Sequence, residues 1–168
     1  RDAVKNGDNI LACIRGSAFN HDGKSNGIVA PSTGAQEKVI RSALRNAKLS
    51  PNDIDYIEAH GTGTKLGDTI ELAALSRVYG KAKRNTELLI GSVETNLGHA
   101  EGAAGICKVI KVVLALQHKT IPQHLNCSNP SSDDQQKFTE MNAKIPFKNE
   151  VWTSQPNKNR RAGISANG

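Results

Sequence analysis

Twice in this chain a short apolar run ends near a histidine set among glycines and then gives way to a helical pattern. The first instance is Tyr56-Ile57-Glu58-Ala59-His60-Gly61-Thr62-Gly63-Thr64. The second is Ser92-Val93-Glu94-Thr95-Asn96-Leu97-Gly98-His99-Ala100-Glu101-Gly102-Ala103-Ala104-Gly105. Strand, tight turn and helix in repeated succession call for an α/β layered architecture. Glycines beside each imidazole permit the backbone angles of a sharp turn and clear room for a substrate. A lone histidine is more often a satisfied structural group than a functional one, but two in matching contexts reverse those odds and point to a shared site.

The rest of the chain fits around these two units. Residues 10–19 are rich in apolar side chains and read as a strand, followed by a loop of turn formers over 20–27 in which His21 is an exposed histidine. Ser32 or Thr33 caps a helix carrying Ala35, Val39, Ile40, Ala43, Leu44 and Ala47 on one face, and Leu49-Ser50-Pro51 ends it. Residues 54–59 form a strand that delivers His60 at its carboxyl end, the edge at which open α/β sheets bind ligands. Asp68 and Glu71 resemble a capping box for a helix running to Gly80. The apolar run 88–93 reads as a buried strand. A helix over 103–116 carries Ile106, Val109, Ile110, Val113 and Leu114 on its apolar face, and small residues in its first turns allow close approach of a neighbour or a cofactor arm. The division expected is a core over 1–125 and a loop-rich wrapping segment over 126–168, together a single partial domain.

Composition excludes several functions. At 168 residues the chain is long enough for one domain with a core. The net charge of +6 comes from scattered lysines and arginines without interleaved aromatics, which reads as a solvated surface and not as a nucleic-acid site. No run of about 18 apolar residues and no charged-then-apolar leader is present, so a cytoplasmic location without membrane insertion is expected. Cys13, Cys107 and Cys127 read as reduced structural cysteines. A metal hydrolase built on His60 and His99 with Glu58 or Glu101 is disfavoured, because zinc wants three or four compactly placed ligands and no His-x-x-x-His or Cys-x-x-Cys pair occurs.

His60-Gly61-Thr62-Gly63-Thr64 with Gly67-Asp68, and Asn96-Leu97-Gly98-His99 with Glu101 and Ala103-Ala104-Gly105, resemble the two histidine motifs of the β-ketoacyl synthase (ketosynthase) family. Arg15-Gly16-Ser17-Ala18, Asp22-Gly23-Lys24-Ser25-Asn26-Gly27, Ala30-Pro31 and Arg161-Ala162-Gly163-Ile164-Ser165 agree with it. Their order and spacing are most similar to the ketosynthase domains of modular or iterative polyketide synthases, over essentially the whole chain. The resemblance implies the carboxy-terminal half of a thiolase-like fold, layered α-β-α-β-α in the full domain. It also implies decarboxylative Claisen condensation, with His60 and His99 as catalytic N–H donors to the enolate oxygen of a malonyl-type extender. Thr62 and Thr64 become candidates to hold the phosphopantetheine arm, although hydroxyls in a tight turn also bond nearby backbone. No tightly held cofactor is implied; the partners are acyl carrier protein, adjacent synthase domains and a second copy of the complete domain.

Three departures from the family pattern matter. The family's cysteine nucleophile lies in a Thr-Ala-Cys-Ser-Ser type motif well upstream of the first histidine, and no cysteine here fits it, so the chain reads as a carboxy-terminal portion that is inactive alone. Glu94 stands where the family usually has lysine. A carboxylate there raises the proton affinity of nearby histidines and opposes a developing enolate, unless it pairs with another cation. The alternative is a non-condensing ketosynthase-like domain that binds acyl carrier protein for transfer or scaffolding. Asn167, lastly, occupies a position where the family commonly has phenylalanine.

Overall fold

A computed structural model describes residues 1–22, 31–82, 84–127, 130–153 and 158–167. Of the motif Asp22-Gly23-Lys24-Ser25-Asn26-Gly27 only Asp22 lies within them, and Ala30 lies outside. In chain order the elements are α1 (Asp2–Asn6), α2 (Thr33–Ala47), β1 (Tyr56–Glu58), α3 (Lys65–Tyr79), β2 (Leu88–Gly91), α4 (Glu94–Leu97), α5 (Ala104–His118), β3 (Thr120–Ile121), α6 (Ser132–Met141), β4 (Ala143–Lys144), β5 (Glu150–Val151) and β6 (Ala162–Ile164).

The main sheet is parallel throughout, in the order β4-β2-β1-β6, with Tyr56, Ile57 and Glu58 of β1 in register with Leu89, Ile90 and Gly91 on one side and Ala162, Gly163 and Ile164 on the other. A parallel sheet is covered on both faces, and β1 accordingly has no exposed residue. Alternation along the strand divides the core in two. Ile57 packs with Leu44, Leu75, Val78, Tyr79, Phe138 and Met141 on the side of α2, α3 and α6. Tyr56 packs with Val112, Ala115, Ile121 and Trp152 on the side of α5, and its ring meets that of Trp152 edge-on at 5.8 Å. Ser32 caps α2 as expected, its hydroxyl accepting from the Ala35 amide at 3.3 Å.

Four expectations are corrected. Residues 10–19 form no strand; the segment joins neither sheet and leaves Ile14 and Phe19 in solvent. It runs along α2, where the Asn46 and Asn20 amides donate to the carbonyls of Ser17 and Ala35. Residues 126–168 are not merely loop-rich wrapping, since they supply α6, three strands and the buried Phe138, Met141 and Trp152. Asp68 and Glu71 are not a capping box: α3 begins at Lys65 behind Thr64, placing both carboxylates inside the helix. Finally, α5 buries Ala104, Lys108, Val112 and Ala115 and leaves Ile106, Ile110 and Leu114 exposed, so its predicted apolar face points away from the sheet.

Candidate active site

His60 follows β1 after a single residue, and His99 follows β2 through the short helix α4. Because β1 and β2 are parallel neighbours in register, both histidines emerge at the same sheet edge. Their rings meet edge-on, with centroids 5.2 Å apart and an interplanar angle of 82°. The two histidines singled out from sequence thus share one site.

Each turn is held by carboxylates and hydroxyls from neighbouring elements. Glu71, buried in α3, accepts from the amides of His60 at 2.8 Å and Gly61 at 3.0 Å. Burial pushes its carboxyl up, and those two amides oppose the rise. Asp68 accepts from the Gly63 amide at 3.3 Å. Gly61 is in the left-handed region at φ 51°, and a Cβ there would come within 2.8 Å of the Ser92 Cβ. Ser92 occupies that space because its hydroxyl donates to the His60 carbonyl at 2.9 Å and accepts from the Glu94 amide at 3.2 Å, lacing the two histidine segments together. The Thr62 and Thr64 hydroxyls lie 3.5 Å apart.

Beneath this layer α5 inserts two lysines. Lys111 meets the buried Glu58 at 2.7 Å, and Glu58 also accepts from Tyr56 and from the Val93 amide that opens α4. Lys108, fully buried, meets Glu94 at 2.6 Å. The second oxygen of Glu94 lies 3.3 Å from His99 Nδ1. The charge at position 94 therefore has its cation. Burial alone pushes the Glu94 carboxyl up, but Lys108 and then His99 outweigh it and hold the group below the ordinary carboxylate range. For His60 burial comes first and the Lys108 cation second, and together they hold the imidazole below its ordinary value, so it is neutral at pH 7. Its Nδ1 is buried without a hydrogen-bond partner.

Neither Lys108, Lys111, Ser92 nor Glu71 is assigned to the site from sequence, and Glu58 enters there only as a ligand of the disfavoured metal site. A signal was present for the lysines: a cation amid an apolar helix is seldom buried without a partner, and Lys108 and Lys111 both sit in such a run. His60, Glu94 and His99 place three potential ligand atoms within 4.8 Å, a closer cluster than the sequence suggested. Both Glu94 oxygens are engaged, however, and an ammonium 2.6 Å away opposes a metal cation, so the arrangement favours proton and hydrogen-bond chemistry. Burial and then the Asp68 carboxylate push the Cys127 thiol up, against the direction a thiolate nucleophile requires.

The chain matches known proteins over nearly its whole length. A family model described as the C-terminal domain of beta-ketoacyl synthase matches residues 11–128. A phenolphthiocerol/phthiocerol polyketide synthase from Mycobacterium tuberculosis is 49% identical over 99% of this chain and 9% of its own length. A hybrid PKS-NRPS synthetase, pynA, of Aspergillus niger is 46% identical over the full chain and 4% of its own length. The solved ketosynthase from module 6 of the bacillaene synthase of Bacillus subtilis superposes with a TM-score of 0.89 at 38% identity, over 97% of this chain and 29% of that one. This chain thus spans under a tenth of these curated relatives and under a third of that ketosynthase. The fold is the thiolase-like one implied by the histidine motifs, and the chain belongs to the β-ketoacyl synthase family, as the carboxy-terminal part of a polyketide synthase ketosynthase.

Proposed function

We propose that this chain supplies the two-histidine half of a condensing site that catalyses decarboxylative Claisen condensation. An acyl group is held as a thioester on a cysteine elsewhere in the complete domain, and a malonyl-type extender arrives on the phosphopantetheine arm of an acyl carrier protein. Carbon dioxide leaves with breakage of the bond to the α-carbon, whose electron pair is stored as a thioester enolate. That carbon attacks the acyl thioester, forming the new carbon–carbon bond and releasing the cysteine thiolate. The observation that carries this reading is the edge-on meeting of His60 and His99 at 5.2 Å, which converges two imidazoles on one small volume. Donors fixed where the enolate oxygen develops charge need no reorganisation during the step.

Thr62 and Thr64 are assigned to the pantetheine arm, a reading supported by their place in the turn that carries His60. The assignment of acyl carrier protein, adjacent synthase domains and a second copy as partners rests on the polyketide synthase relatives. A cytoplasmic place accords with the described residues, among which no helix is long and apolar enough to cross a membrane. A non-condensing carrier-protein-binding domain drew its support from the lone charge of Glu94, and Lys108 removes that support.

The test is made in the complete domain. His60→Ala and His99→Ala should each lower condensation about a hundredfold or more while the nucleophilic cysteine still takes up an acyl group from a thioester. Condensation at the parental rate in either variant refutes the assignment. This chain by itself should release no condensation product from acyl and malonyl thioesters.

A further inference from the structure

One side chain touches both histidine segments. Lys108 Nζ lies 2.6 Å from Glu94 Oε1 and 3.3 Å from the backbone carbonyl of His60, and Glu94 turns its Oε2 toward His99 Nδ1. Lys108 is 0% exposed and Glu94 is 6% exposed, so bulk water solvates neither charge. Two such groups are tolerated only as a unit, because either alone leaves an uncompensated charge inside the protein.

The unit has a consequence for the ring above it. An ionised carboxylate has no proton to give, so in the contact with Glu94 the donor is His99 Nδ1. In the neutral ring Nε2 then accepts, and it donates to the enolate oxygen only when His99 carries a second proton, a charge that the Glu94 carboxylate beside Nδ1 offsets. Were Glu94 to take up a proton, the contact would accept either tautomer and that definition would vanish.

Resting on the condensing reading above, we propose that Lys108 is a positioning residue: its ammonium keeps Glu94 ionised inside the protein, and Glu94 in turn fixes the Nδ1–H form of His99. The carboxylate at position 94 thereby works as half of a neutral pair and adds no net negative charge beside the enolate. A purely structural pair is a weaker account, since apolar side chains of similar volume usually replace a buried ion pair without loss of stability.

The complete domain provides the test. Lys108→Met alone strands a buried carboxylate and threatens folding, so the deciding variant is E94L/K108M, which removes both charges together. It should melt within a few degrees of the parent, yet lose about a hundredfold in kcat for condensation with little change in KM for the extender thioester. In 15N-histidine-labelled protein the parent should show His99 protonated at Nδ1, and the double variant should lose that preference. Condensation at the parental kcat in the double variant overturns the proposal. So does a parent His99 protonated at Nε2 alone, a readout that needs no variant and no turnover. A parent that fails to condense, but whose His99 carries the Nδ1 proton only while the pair is present, upholds the positioning role and overturns the condensing reading.

Discussion

Removing Glu71 should displace His60 without touching its ring. The Glu71 carboxylate accepts from two consecutive amides, those of His60 and Gly61. In Glu71→Ala both donors lose their acceptor. An orphaned buried donor costs about 1–3 kcal/mol, and because both contacts are only part-buried the lower part of the range applies, about 1–1.5 kcal/mol for each. Against this stands relief from burying a carboxyl group, a cost visible in the upward push that burial gives it. The expected net loss is about 2 kcal/mol, read as a lower urea midpoint at unchanged m-value in the complete domain. Glu71→Gln keeps an acceptor oxygen and nearly the same shape, so it should cost under about 1 kcal/mol. Condensation should fall more steeply than stability in the alanine variant, because reacting groups misplaced by about 1 Å can lose about a hundredfold in rate. An alanine variant as stable and active as the parent, or a glutamine variant as damaged as the alanine one, refutes the reasoning.

Gly61→Ala should lower stability by about 2 kcal/mol or more, combining about 1–2 kcal/mol for a left-handed non-glycine residue with the 2.8 Å approach of its Cβ to Ser92; unfolding at the parental midpoint contradicts this. Stability should also decline as pH falls below 6.5, the ordinary value for histidine, because His60 and His124 are both held below it in the folded state, chiefly by burial. The sign follows from the unfolded chain taking up these protons first, so the contribution is complete above 6.5 and is lost on acidification. Asp68 and Glu71, whose carboxyls are raised, act in the opposite sense at lower pH. A melting temperature that stays constant from about pH 7.5 to 5.5 contradicts the burial of two neutral rings.

Sequence legibility tracked how far each signal depends on local physics. The runs that became β1 and β2 are interior parallel strands, whose apolar content needs no partner to be recognised. The meeting of His60 and His99 was readable because both follow such strands into glycine-bearing turns. By contrast β4, β5 and β6 are two or three residues long, too short to carry a period, and exist because β1, β2 and β3 offer them a ladder. Residues 10–19 show the converse: an apolar run that pairs with no strand among the described residues stays irregular and mostly exposed.

The helix α5 was located correctly and rotated wrongly, and the reason is energetic. Apolar residues surround much of it, so periodicity alone leaves its orientation open. What decides is charge. Glu58 and Glu94 are committed to the interior by the strand and turn that carry them, and a carboxylate so placed needs a cation within reach. Only the face of α5 bearing Lys108 and Lys111 meets that demand, and turning it inward drives Ile106, Ile110 and Leu114 outward, where they are 57%, 53% and 48% exposed. A helix with ion-paired lysines on one side and an aliphatic stripe on the other is built to lie between two layers, only one of which the described residues supply. The buried lysine beneath the histidines and the uncovered stripe therefore have one cause, the orientation that the two interior carboxylates impose.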